Sequence, residues 1–139
     1  MARLDEEWLA EKGRTLRPTV PSTALYDRLK FVAGIVADAP AGVVRGPCLL
    51  WRGEHGEVRA CGLPEKLVIG RAADCDLTLS SPRVSRRHCE VTMLRGVAWV
   101  SDLGSANGTF HNSRRLGAPA PLRDGDVIEV GGRVIVFVA

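Results

Sequence analysis

Three short stretches of this 139-residue chain hold the residues able to do chemistry: Gly70-Arg71 ending "KLVIG", Ser85-x-x-His88 inside "SPRVSRRH", and Asn107-Gly108 inside "DLGSANGTF". Each is weak alone. An arginine after a turn glycine is most often solvated, although its guanidinium fork suits a carboxylate or a phosphate. The glycine lets the backbone take a conformation that a Cβ would hinder. Ser85 brings a hydroxyl that donates and accepts, plus a backbone N–H. With His88 it has the spacing of a nucleophile and its base, but no oxyanion motif or orienting acid accompanies the pair. A histidine entering a strand more often ties a loop down. Asn-Gly is a strong turn signal, and an asparagine at a loop tip offers one acceptor and two donors to a peptide backbone.

Bulk properties narrow the setting. The length suits one domain with or without an extension. A formal charge of +3 gives no mandate for nucleic acid or a membrane surface. No apolar window is long enough to span a bilayer, and "MARLDEEWLAEKGR" lacks a signal core, so the expected location is the cytoplasm without membrane insertion. Cys48, Cys61, Cys75 and Cys89 are spaced by 13, 14 and 14 residues, with no Cys-x-x-Cys pair. They read as reduced thiols partly buried in strands rather than as metal ligands or a nucleophile. No metal or cofactor is expected. The absence of a Gly-Lys-Ser/Thr phosphate loop disfavours nucleotide hydrolysis.

Two textures divide the chain. Residues 1–45 are expected to form a helical N-terminal extension. Leu4, Trp8 and Leu9 share a face of a first charged segment that Gly13 ends, and a Pro-rich break follows at 18–22. Beyond caps at Ser22 or Thr23, Leu25, Leu29, Val32 and Val36 repeat as an amphipathic stripe until Pro40 and Gly42. That stripe must be buried against the following domain, a second copy or a partner. Residues 46–139 change to short strands: "CLLWR", "EVRAC", "KLVIG", "DLTLS", "HCEVTML", "VAWVSDL", "DVIEV" and "RVIVFVA". "VIVFV" is apolar throughout and is expected to be covered on both sides. Strands at this density, without a crossover helix, predict an all-β, two-sheet antiparallel β-sandwich.

The three motifs fall in order at predicted strand boundaries, about fifteen and about twenty residues apart. With "LVIGRAADCDLTLSSPRVSRRHCEV", "VSDLGSANGTFHN" and "LRDGDVIEVGG", the stretch from Pro47 to Ala139 resembles the forkhead-associated (FHA) domain, a family of phosphothreonine-binding sandwiches. The resemblance implies a non-catalytic signalling or adaptor module whose partner is a phosphothreonine-containing protein, a Ser/Thr kinase or its substrate. It assigns Arg71 and Ser85 to the phosphate, Arg86 to a further phosphate or peptide contact, and Asn107 to the ligand main chain. Gly70, His88 and Gly108 would be architectural. Ala106 departs from the Thr or Ser common before the asparagine, which removes one polar contact. Arg83 either selects an acidic or carbonyl-rich ligand residue or faces water, and Arg87 is expected to point away. Thr15, Thr19 and Thr23, in or near the Pro-rich break, read first as ordinary linker and cap residues; the alternative is that one of them, phosphorylated, supplies an internal ligand for Arg71 and Ser85. The competing reading is a phosphate-independent scaffold or oligomerisation module that uses the N-terminal helix.

Overall fold

The computed structural model describes residues 22–139, with side chains described from Asp27 onward. The expected features at Leu4, Trp8, Leu9 and Gly13, the Pro-rich break before Ser22, and Thr15 and Thr19 lie outside the described residues. A single helix, α1 (Ser22–Ala37), is present among those described, and it takes in both Ser22 and Thr23, the expected caps. Thr23 therefore has helical rather than extended backbone.

Leu29, Val32 and Val36 of the expected stripe are buried, joined by Ala33 and Ile35; the Leu25 side chain lies outside the description. They pack on Cys48, Leu50, Val58, Val127 and Val136. Of the three fates open to the stripe, the chain takes burial against its own sandwich. This is the energetically expected outcome, since a helix of this length gains little stability in water without packing.

Eleven strands follow: β1 (Cys48–Arg52), β2 (Val58–Gly62), β3 (Lys66–Gly70), β4 (Leu77–Thr78), β5 (Cys89–Leu94), β6 (Val97–Asp102), β7 (Thr109–His111), β8 (Arg114–Arg115), β9 (Ala120–Pro121), β10 (Val127–Val130) and β11 (Arg133–Val138). They form a first sheet ordered β2-β1-β11-β10-β7-β8 and a second ordered β4-β3-β5-β6-β9. Alternation places Leu49, Ile128 and Ile135 of the first sheet against Leu67, Val91 and Val100 of the second in one core. The all-apolar β11 is covered on both faces as expected: Ile135 and Phe137 join that core while Val136 meets α1.

The sandwich is not wholly antiparallel. β3 and β4 pair in parallel, Ile69 opposite Leu77 and Gly70 opposite Thr78. So short a connection can do this because β4 contributes two residues, and the ladder is completed from outside it. Asp76 Oδ2 accepts from Val68 N (2.8 Å), and Leu79 N donates to Gly70 O (2.9 Å). The cysteine expectation also needs amending, because Cys75 sits in the turn before β4 rather than in a strand. All four thiols are free. Burial pushes each of them up, Cys89 to about 12, so they stay protonated and poorly nucleophilic.

At the end of the sandwich where β7 leaves and β10 begins, Asp126 is buried and acts as a hub. It accepts from His111 Nε2 (2.7 Å), Arg123 N (2.9 Å) and Asn112 Nδ2 (3.1 Å). Burial alone would raise its carboxyl, but these donors outweigh that and hold it below the usual range. A depressed native pKa contributes stability above the unfolded value of about 3.9 that is lost as pH falls through the native one. Asp126→Asn should therefore cost ~1.5–3 kcal/mol at neutral pH. The deficit relative to wild type should shrink as the wild-type carboxylate protonates, which urea unfolding at a series of acidic pH values will measure.

Candidate functional site

The predicted site residues lie on the loops at one end of the sandwich, and backbone bonds zip those loops together. After β3, Arg71 N donates to Ser85 O (2.9 Å) and Ala72 N to Arg86 O (3.1 Å). Gly70 is required there by space. A Cβ would stand 2.1 Å from Arg86 O and 2.9 Å from Cys75 Sγ, while its φ is not positive. This corrects the expectation of a special backbone conformation. Below it, the Cys75 thiol donates to the same Arg86 carbonyl (3.1 Å).

Arg71 is exposed, and its Nε donates to Val84 O (3.0 Å). That bond steers the guanidinium and leaves its terminal nitrogens for a ligand. Ser85 is half-buried, and its Oγ accepts from Ala106 N (3.1 Å). One lone pair is used there, so the hydroxyl proton stays available to an anion. Ala106 thus takes part through its backbone, although it lacks the hydroxyl.

His88 is fully buried. Its Nδ1 accepts from Ser85 N (3.0 Å), which places the proton on Nε2, and Nε2 donates to Gly108 O (2.9 Å). Both ring nitrogens are spent on backbone, and the contact to Ser85 is to its N–H rather than its hydroxyl. The Ser-x-x-His spacing builds a brace between two loops instead of a nucleophile–base pair.

Asn107 is exposed, and its Nδ2 donates to Arg83 O (2.8 Å), leaving its side-chain carbonyl for a ligand. Gly108 has a φ of +85 and packs under Arg115. A carboxylate that the sequence reading passed over shapes this turn. Asp102 accepts from the amides of Gly104 and Ser105 (both 3.0 Å) and the hydroxyls of Ser105 (2.5 Å) and Thr109 (2.7 Å). Burial raises its pKa, but those four donors prevail and keep it low. Ser105 Oγ in turn accepts from Gly108 N (2.9 Å). The Asp-x-x-Ser pattern ahead of Asn-Gly is a local side-chain-to-backbone signal that could have found it. Gly131 was also missed: its φ is +56, and a Cβ would lie 2.9 Å from Arg83 O.

Arg71, Ser85 and Asn107 are therefore brought together, with Gly70, His88 and Gly108 beneath them. Arg83 and Arg86 are exposed beside them, and Arg87 reaches Asp74 (3.8 Å). No group of His, Cys, Asp and Glu fit to hold a metal occurs among the described residues.

The family model of the FHA domain matches residues 67–131, the stretch that contains all three motifs. The oxoglutarate dehydrogenase inhibitor of Corynebacterium glutamicum is 31% identical over 140 residues, covering 94% of this chain and 97% of that protein. The chain belongs to the FHA domain family. Among solved structures, an FhaA FHA domain complexed with the intracellular domain of Rv3910 matches with TM-score 0.60 and 35% identity, over 66% of this chain and 99% of that one. An FHA domain solved in work on phosphothreonine-dependent interactions gives TM-score 0.60 and 32% identity, over 68% of this chain and 97% of that one. The FHA match falls on the sandwich; the inhibitor's match extends across α1 as well.

Proposed function

We propose that this FHA protein is a phosphothreonine-dependent interaction module, a signalling or adaptor protein acting downstream of a Ser/Thr kinase. The observation that carries this reading is the convergence of Arg71, Ser85 and Asn107 on braced loops, each with hydrogen-bonding capacity left over. A phosphothreonine brings about −1.5 to −2 charges and three acceptor oxygens. The Arg71 fork and the Ser85 hydroxyl supply donors to it, with Arg86 alongside. Asn107 meets the peptide main chain, as the family pattern implies for its position.

Two features support binding over catalysis. His88 has no free nitrogen for the Ser85 hydroxyl, and the thiols are held protonated. The scaffold reading loses its main surface, since the α1 stripe is already buried on the first sheet. Among the described residues no helix is long and apolar enough to cross a membrane.

The test is a titration of one peptide carrying phosphothreonine, phosphoserine or unmodified threonine. Phosphothreonine should bind at least about tenfold tighter than phosphoserine, because the γ-methyl buries apolar surface and stiffens χ1. Unmodified threonine should show no saturable binding. Equal affinity for the phosphorylated and unmodified forms would overturn the reading.

A further inference from the structure

Beside Asn107 lies a groove of ≈ 290 Å³, lined by Asn107-Gly108, Phe110, Glu129 and the Gly131-Gly132 turn, with Arg83 also contributing. Its floor follows from strand register. Val134 stands opposite Glu129, Glu129 opposite Phe110, and Phe110 opposite Arg115, so these four form one row across the outer face of the first sheet. At one end Val134 packs into the α1 cluster. Past the helix, Phe110 and Glu129 are half-buried and open to the groove.

Glu129 is a carboxylate without an ion-pair partner among the described residues. Arg28, on the helix that covers part of this face, keeps a buried Nε without a hydrogen-bond partner, and it does not pair with Glu129. Arg52, on the same face, pairs with Asp38 (2.6 Å); Arg133 belongs to the opposite face, across from Val130, and donates to Arg52 O (3.4 Å). Arg115 is two strands away by register; its guanidinium lies over Gly108 at the groove wall, with Nε 2.7 Å from where a Gly108 Cβ would stand, and it does not pair with Glu129. A half-buried carboxylate beside an aromatic ring is the complement of a lysine or arginine side chain, whose stem covers the ring while its charge meets the carboxylate. Arg83 lines the same groove and opposes this, and its exposure to solvent weakens that repulsion without removing it.

We infer that this groove receives a cationic side chain of the phosphothreonine ligand, with Glu129 as the specificity-determining residue and Phe110 as its platform. The ligand class is then bipolar, a phosphothreonine with a lysine or arginine nearby. This is opposite to the acidic preference that Arg83 alone suggests. The inference rests on the phosphothreonine reading of the adjacent loops.

A phosphothreonine peptide array with Lys, Leu or Glu at each flanking position tests it, using the whole chain as wild type, Glu129→Gln and Glu129→Lys. At one flanking position the wild type should favour Lys over Glu by about tenfold. The preference should fade in Glu129→Gln and invert in Glu129→Lys, with phosphate dependence intact in all three. Phosphate-dependent binding with no Lys preference, or one that survives Glu129→Lys, overturns the inference alone. Wild-type binding that ignores the phosphate overturns the reading beneath it as well.

Discussion

Arg71→Ala should weaken phosphothreonine-peptide binding by at least about 100-fold while leaving the domain folded. Charge-assisted hydrogen bonds are worth ~1.5–3 kcal/mol each, and a guanidinium fork offers two to a phosphate. Losing both removes ~3–6 kcal/mol, and each ~1.4 kcal/mol is tenfold in affinity. The native state loses much less, because the Arg71 side chain is exposed and makes one intramolecular bond, to Val84 O. Arg71→Lys separates charge from geometry: the cation stays, the fork goes, and most of the affinity should go with it. Arg87→Ala is the matched control, since that arginine faces Asp74. Isothermal titration beside thermal unfolding checks all three. Near-wild-type affinity in Arg71→Ala would remove this residue from the site.

His88→Ala should be costly in a different way, destabilising the fold by ~3–5 kcal/mol and abolishing binding together with structure. The ring is fully buried and carries two loads, the amide of Ser85 and the carbonyl of Gly108. Removing it leaves two polar groups unpaired, at ~1–3 kcal/mol each, and opens a cavity. His88→Asn and His88→Gln, which keep polar atoms in the space, should recover part of the stability. Urea unfolding gives the magnitude. A catalytic histidine on an otherwise sound scaffold would behave oppositely, with a normal unfolding curve.

The residues proposed to meet the ligand were legible because they are punctuation. Gly70-Arg71, Ser85-x-x-His88 and Asn107-Gly108 stand where strand texture stops, and their order and spacing carry the family pattern. Long strands were equally plain: β5 and β6 pair along their whole length from Cys89–Asp102 to Leu94–Val97. What escaped had little local signal. β7, β8 and β9 have three, two and two residues, and alternation cannot register over so few. The parallel pairing of β3 with β4 follows from Asp76 and Leu79 completing a ladder, which no period encodes. Gly70 was noticed for the wrong reason, since the crowding comes from Arg86, distant in sequence. The destination of α1 was left open because an amphipathic stripe declares that it must be covered, not by what.

The sheet order also bears on how a partner can approach. Among the described residues each sheet ends in two outer strands, and three of these four (β4, β8 and β9) are two residues long, β9 ending in Pro121. A rim that short is a poor template for another chain to join as an extra strand. Only β2 offers a longer rim, and it carries Arg59 exposed. Lateral association and aggregation by edge pairing are thereby discouraged. For the proposed phosphopeptide partner this favours docking end-on, at the loops that carry Arg71, Ser85 and Asn107.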